Sequence, residues 1–214
     1  SNLKIINNKK NLLKYGENPH QNSNFYFNKK YKKLFDNCIK EGRNISYNNV
    51  LDINSAFECL NEFTEPTCVI VKHNSPCGVG SDSTIRKAFA KAYKADPISA
   101  YGGIVALNKE INENLANLLK TKYFEIIIAP KFTIKSKKIL QKKKRLILIE
   151  TKKLKSQKGL EVKSVTGGFL LQEKNSIIFS INNMKCVTRK KATEKQIIDL
   201  IFAFRVAKFV KSNA

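Results

Sequence analysis

Several residue types are scarce in this 214-residue sequence, and each scarcity narrows the class of protein. Tryptophan is absent, methionine occurs once, and histidine occurs only at His20 and His73. No apolar run approaches the ~18 residues that a membrane-spanning helix needs, so we expect no membrane partner. Residues 1–13 lack an apolar stretch of signal-peptide length and an initiator methionine, which favours a cytoplasmic protein whose sequence begins inside a longer chain.

The cysteines are too few and too widely spaced to stabilise the fold by disulfide bonds. They stand at positions 38, 59, 68, 77 and 186, an odd number with no CxxC pair, which argues against both a disulfide framework and a structural zinc site. The stretch "HNSPCGVG" has a deaminase-like His and Cys77, but Gly80 stands where a second zinc-binding cysteine is needed. We therefore predict no metal, and we expect Cys59 and Cys68 to be small core residues.

Acidic residues are outnumbered, which gives a net charge of +23, but arginine is also scarce. Only five of the 40 basic residues are arginine, whereas proteins that read nucleic acid sequence rely on arginine forks and aromatic platforms. The longest basic stretch, "KSKKILQKKKR" (135–145), contains no aromatic residue, and its apolar neighbours suit a helix with a solvated lysine face. The composition disfavours a nucleic-acid partner, although a lysine-rich polyanion- or RNA-binding module remains the rival interpretation.

Strand-like and helix-like segments alternate through the middle of the chain and predict an α/β protein. Apolar β-branched runs at 67–72, 103–108, 125–130 and 145–150 read as strands covered on both faces, with helices at 52–63, 83–95, 112–122 and 133–144. Asp52 or Asn54 is the expected cap of the first helix, and residues 73–80 are expected to form a loop. The predicted segments are 1–50 (irregular), 51–150 (α/β core), 151–192 (connector and strand) and 193–214 (helix).

The last helix is expected to begin at a capping box formed by Thr193 and Gln196. Its apolar residues recur at helical spacing almost to the end of the sequence, and a helix so apolar needs a packing partner. We therefore expect a second half to follow Ala214.

One basic pair has an obvious chemical use. Lys72 and His73 follow directly on a strand, where ligands gather in open α/β sheets. An imidazole can accept a proton at neutral pH, and a neighbouring ammonium can stabilise an oxyanion or donate a proton to a leaving nitrogen. This combination suits acyl or formyl transfer to a weak amine. A histidine that merely ends a strand is the alternative, and neither GxGxxG nor a P-loop is present to suggest a nucleotide fold.

Five stretches, in order, resemble a known family. They are "LKYGENPHQ" (13–21), "VKHNSPCG" (71–78), "DPISAYGGIVALN" (96–108), "EIIIAP" (125–130) and "FVKSNA" (209–214). Together they resemble the AICAR transformylase domain of the bifunctional purine biosynthesis family, in which that domain is usually fused to IMP cyclohydrolase. The resemblance implies formyl transfer from the cosubstrate 10-formyltetrahydrofolate to the 5-amino group of AICAR.

The resemblance also implies roles for individual residues. His73 matches the family's catalytic base, and Lys72 matches the lysine that assists the tetrahedral intermediate or protonates the departing folate nitrogen. Lys14 stands where a phosphate-binding arginine is common, which keeps the charge but loses the bidentate fork. The other matched positions are Tyr15 against the nucleotide, Gly102 beside the base, Glu125 as a hydrogen-bond acceptor and Asn213 near the carboxamide and formyl group.

The family fold implies a three-layer α/β/α sandwich made of two cytidine-deaminase-like subdomains, active as a homodimer. By that likeness the chain would hold the first subdomain and only the entry helix of the second, without the cyclohydrolase domain. We therefore expect little transformylase activity from these residues alone. An inactive fragment that keeps only the scaffold is a further alternative.

Overall fold

The chain forms two compact units, Ser1–Leu154 and Lys155–Ala214. In this computed structural model of the protein, the described residues are 10–26, 45–151, 159–175 and 184–210. A search of those ranges finds no helix with the length and apolarity needed to cross a membrane.

The first unit is built on a five-stranded mixed sheet, which confirms the α/β prediction. The strands of the whole unit are β1 (Lys10–Leu12), β2 (Asn24–Tyr26), β3 (Thr67–Lys72), β4 (Ser75–Ser81), β5 (Ile104–Leu107), β6 (Ile126–Ala129) and β7 (Ile147–Glu150). Its helices are α1 (Tyr47–Leu60), α2 (Ile85–Ala95), α3 (Glu113–Lys120) and α4 (Ile134–Gln141). The main sheet has the order β4-β3-β5-β6-β7, and β1 pairs with β2 separately. Strand β3 is antiparallel to both neighbours, whereas β5, β6 and β7 are parallel.

The core sits on both faces of this sheet because β5 and β6 are apolar and buried at every position and β3 is so from Cys68 to Val71. Cys68 and Ile70 of β3 belong to one buried cluster with residues of α2, α3 and α4. Residues that alternate with them are equally buried, and α1 contributes Ile53, Phe57 and Leu60 to the core. Each fully buried isoleucine or leucine stabilises the fold by about 1.5–3 kcal/mol. Cys59 and Cys68 are fully buried, as predicted for small core residues.

Helix α1 begins five residues earlier than the sequence pattern predicted. Ser46 is its N-cap, and Ser46 and Asn49 form a reciprocal capping box, so the "SYNN" stretch is the first turn of a helix and not a loop. The expected cap at Asp52 or Asn54 is therefore wrong. Asp52 instead lies in the second turn, on the same helix face as Asn49.

Residues 75–81 form a strand and not the predicted loop. Strand β4 pairs with β3 as a hairpin whose two-residue turn is His73-Asn74. Asparagine, proline and glycine suggested a loop, but Gly78 and Gly80 serve another purpose. A side chain at either position would collide with the backbone of α2 at Ala92 or Ala88, so glycine permits the helix to lie close to the strand.

Residues 135–141 of the basic stretch lie in helix α4, and the lysines at 135, 137 and 138 are exposed, as predicted for a solvated face. Leu140 is buried. The apolar residue Ile134, the first of the helix, is nevertheless 78% exposed.

The second unit contains a hairpin and a helix. Strands β8 (Leu160–Val165) and β9 (Gly168–Glu173) pair with each other, and helix α5 (Glu194–Ala207) has the predicted capping box of Thr193 and Gln196. The β8 segment was predicted as a polar connector, because Glu161, Lys163 and Ser164 give it a polar composition. Every residue of β8 and β9 is exposed.

The cysteines differ in exposure, and we expect their reactivity to follow it. Cys186 is exposed, and hydrogen bonds to Thr188 lower the pKa of its thiol, which favours the reactive thiolate. Burial raises the pKa of Cys59 to about 12 and also raises that of Cys68. Under native conditions iodoacetamide should therefore alkylate Cys186 much faster than Cys59 or Cys68, as read by peptide mass spectrometry. A Cys186→Ser variant is the control, and equal labelling of Cys68 and Cys186 would contradict the buried assignment.

Candidate active site

The direction of β3 brings three separate parts of the chain to one edge of the sheet. Val71, Ile104 and Ile126 are neighbours in one row across β3, β5 and β6. Because β3 is antiparallel to β5, its carboxyl end lies beside the amino ends of β5 and β6. The residues that follow β3 therefore lie near the residues that precede β5 and β6. A site expected only at the carboxyl ends of strands would have included the first group and not the other two.

The Lys72-His73 pair lies where β3 turns into β4. His73 and Asn74 both adopt left-handed backbone conformations, with φ of 55° and 59°, as in the type I′ turns that suit two-residue hairpins. Such conformations are uncommon outside glycine and asparagine and often mark functional sites. The side chain of His73 is exposed to solvent. The turn therefore presents the imidazole at the edge of the sheet.

The ammonium of Lys72 reaches across to the loop before β5. Its Nζ donates to the carbonyl of Tyr101 at 2.8 Å. The next residue, Gly102, has a φ of 73° and donates its N–H to the carbonyl of Tyr123 at 2.9 Å. A residue with a side chain is strained at that φ, so glycine keeps this loop in place. The rings of Tyr101 and Tyr123 contact each other with centroids 4.8 Å apart and planes tilted by 33°, and Tyr101 is 64% exposed.

Glu125 stands at the amino end of β6 and is held from two sides. Its backbone N–H donates to Gly103 at 3.1 Å, and its carboxylate accepts a hydrogen bond from Asn49 Nδ2 at 3.0 Å. The side-chain oxygen of Asn49 accepts the N–H of Ser46 at 3.1 Å. One asparagine therefore caps α1 and orients the exposed carboxylate.

Lys14 and Tyr15 are tied to the start of the same helix. The N–H of Lys14 donates to Ile45, and the carbonyl of Tyr15 accepts the N–H of Tyr47, both at 3.1 Å. Lys14 is exposed, and its Nζ lies 5.3 Å from the centroid of the Tyr15 ring. These contacts place the 13–21 motif beside α1, whose amino end also carries Asn49.

Asp52 interacts with the histidine turn and with Glu125. Its carboxylate accepts the N–H of Asn74 at 2.5 Å. Burial raises the pKa of Asp52, the Asn74 amide and the charge of His73 oppose that rise, and the charge of Glu125 adds to it. The charges of His73 and Glu125 both act on Asp52, so the three groups belong to one electrostatic neighbourhood.

Six of the seven site residues predicted from the sequence lie within the described residues, and the hydrogen bonds given above link the segments that carry them. They are Lys14, Tyr15, Lys72, His73, Gly102 and Glu125. Asn213 lies outside the described residues. Sequence reasoning missed Asn49 and Asp52 as site residues because it began α1 too late. The Ser46-x-x-Asn49 spacing, typical of a helix start, was the signal that could have revealed them.

The edge offers a base, a cation, a carboxylate and an aromatic surface within one neighbourhood, which suits proton transfer and stabilisation of negative charge on a planar polar substrate. In the parts of the chain that the structure describes, no three or more His, Cys, Asp or Glu side chains are grouped to hold a metal ion.

Comparison with known proteins identifies relatives of the whole chain. It is 45% identical to the bifunctional purine biosynthesis protein PurH of Buchnera aphidicola subsp. Schizaphis graminum over 211 residues, 96% of this chain and 40% of that protein. PurH of Caldicellulosiruptor bescii is 46% identical over 94% of this chain and 40% of its own length. The chain thus spans about two fifths of these relatives. The solved structure of Acinetobacter baumannii RibD matches with a TM-score of 0.34 and 15% identity over 48% of this chain and 34% of RibD, too slight a likeness to assign a fold.

The family description "AICARFT/IMPCHase bienzyme" matches residues 1–214, the full length of the sequence. The chain therefore belongs to the AICARFT/IMPCHase bienzyme family.

Proposed function

We propose that this chain carries part of a formyltransferase site that moves the formyl group of 10-formyltetrahydrofolate to the 5-amino group of AICAR, giving FAICAR for purine biosynthesis. The observation that carries the proposal is the convergence of an exposed His73, the Lys72 ammonium and the Glu125 carboxylate at one sheet edge. Family membership supports it, because the family description names AICARFT activity.

His73 is the proposed base. The amine of AICAR is a poor nucleophile because its lone pair is delocalised into the ring and the neighbouring carboxamide. As its nitrogen bonds to the formyl carbon, His73 takes a proton from it, and the carbonyl oxygen gains negative charge. The bond from the formyl carbon to the folate nitrogen then breaks, and that nitrogen receives a proton.

Lys72 is the proposed partner of this step. An ammonium has three N–H donors, and the carbonyl of Tyr101 takes one of them, which fixes the direction of the side chain. The other donors suit the oxyanion of the tetrahedral intermediate or the departing folate nitrogen.

The remaining residues have proposed binding roles. Lys14 would bind the phosphate of AICAR as a point charge, and Tyr15 would lie against the nucleotide. The Gly102 backbone would approach the base, Glu125 would accept hydrogen bonds from the substrate, and Asn213 would contact the carboxamide. We further propose a cytidine-deaminase-like subdomain, a homodimeric complete enzyme and a cytoplasmic location, consistent with the mixed sheet and the purine pathway.

The test is a formylation assay with the full product of the gene. With AICAR and 10-formyltetrahydrofolate, tetrahydrofolate should appear at a rate that depends on both substrates, followed by absorbance. Lys72→Met should lower that rate by about 10²-fold, the usual cost of losing an oxyanion donor. Lys87→Met, at an exposed position of α2, is the matched control and should leave the rate unchanged.

Two outcomes would contradict the proposal. The first is absence of product from a folded wild-type enzyme, and the second is a normal rate for Lys72→Met. If the inactive protein also bound RNA tightly and in a salt-sensitive manner, the result would favour the lysine-rich polyanion-binding module.

A further inference from the structure

We infer that Asp52 is a positioning residue that aims His73 by holding the backbone of the hairpin turn; this role rests on the proposed formyl transfer. Asp52 is separated from the Lys72-His73 pair in sequence, because it lies on α1, the helix that precedes β3.

The His73-Asn74 turn places two non-glycine residues in the left-handed region, which histidine and asparagine enter more readily than most residues but still at a cost. A non-glycine residue in the left-handed region costs about 1 kcal/mol or more, so two in succession persist only when surrounding contacts stabilise them. Glycine is the residue that adopts such turns freely, and neither position has it. The conformation of His73 therefore depends on contacts from outside the hairpin.

Helix α1 supplies those contacts. Asp52 accepts the backbone N–H of Asn74 at 2.5 Å, and the hydroxyl of Ser55 hydrogen-bonds to the side-chain oxygen of Asn74. Asp52 and Ser55 are three residues apart and share one helix face. They hold both the backbone and the side chain of the residue that follows His73, so the turn that carries His73 is anchored to α1.

The same helix also orients the carboxylate on the other side of the site. Asn49, one turn before Asp52, donates to Glu125 at 3.0 Å. A single rigid face of α1 thus sets the positions of a proposed base and a proposed substrate acceptor. A displacement of about 1 Å in such a group is enough to lower a rate by about 10²-fold.

The test uses two substitutions of Asp52 in the full gene product. Asp52→Ala removes the acceptor and should lower kcat by about 10- to 100-fold while the KM for AICAR stays within about threefold. Asp52→Asn keeps a side-chain oxygen that can accept the Asn74 N–H and should recover most of the lost kcat. Asn54→Ala, at an exposed position of the same helix, is the control and should behave as wild type.

Hydrogen exchange at the Asn74 amide provides a readout that does not depend on catalysis. Asp52→Ala should accelerate that exchange, whereas Asp52→Asn should preserve its protection. Faster exchange with unchanged kcat would overturn the positioning role, and so would an Asp52→Asn variant as slow as Asp52→Ala. If wild type makes no FAICAR, the proposed function fails by itself, and the exchange data still show whether Asp52 holds the turn.

Discussion

His73→Asn is expected to lower kcat for formyl transfer by about 10³-fold while the protein remains folded, within the range that general acid–base catalysis contributes. Asparagine tolerates the left-handed conformation that His73 adopts, with φ of 55°, so the turn should survive. The substitution removes the imidazole and leaves the contacts of Asn74 with Asp52 and Ser55 in place. The expected result is a chemical defect with little change in substrate binding, measured by steady-state kinetics for both substrates.

The control for His73→Asn is Thr166→Asn, which places the same new residue at the turn between β8 and β9. It should leave the rate unaltered. Thermal unfolding followed by circular dichroism should give similar midpoints for both variants and wild type. A folded His73→Asn enzyme with near-normal kcat would remove this histidine from the chemistry.

Gly78→Ala should destabilise the first unit by about 3 kcal/mol or more, at the upper end of what overpacking costs. An added Cβ at this position would lie 2.1 Å from the carbonyl oxygen of Ala92 and 3.0 Å from its carbonyl carbon. Both atoms belong to the backbone of α2, which cannot move aside as a flexible side chain does. Helix α2 must therefore separate from β4, and buried contacts of Phe89 would be lost with it.

The matched control is Gly168→Ala, also in a β-strand, where an added Cβ meets nothing within 4 Å. Its stability should stay within about 0.5 kcal/mol of wild type. Urea unfolding followed by circular dichroism compares the two variants. Equal transition midpoints for Gly78→Ala and Gly168→Ala would mean that α2 is not packed against β4 as described.

The sequence was sufficient to predict four strands of the main sheet but not its edge strand β4. Runs of apolar β-branched residues identified β3, β5, β6 and β7, and β5 and β6 are buried at every position as such runs predict, whereas only Ile149 of β7 is fully buried. Strand β4 was missed, since its proline and two glycines are typical of loops when read alone. Glycines at 78 and 80 are needed by the neighbouring helix, and such a tertiary reason is invisible in a local pattern.

The residues of the candidate site likewise fall into two groups, those that the sequence could identify and those that only the fold reveals. The residues that resemble family motifs, such as Lys72 and His73, are contiguous in sequence and could be identified there. Asn49 and Asp52 act through hydrogen bonds to residues 76 and 22 positions away, and only the folded chain brings those partners together. The sequence around Ser46 indicated where the helix begins, but it did not indicate that Asn49 and Asp52 hydrogen-bond to Glu125 and Asn74.

The row formed by Val71, Ile104 and Ile126 sets the dimensions of the site. Adjacent strands in a sheet are separated by about 4.8 Å, so the groups beside these three positions inherit a fixed pitch from backbone hydrogen bonds. Side-chain composition elsewhere does not alter that pitch. Surface substitutions, such as changes to the exposed lysines of α4, can therefore alter the charge of this protein without changing the spacing of the groups beside that row.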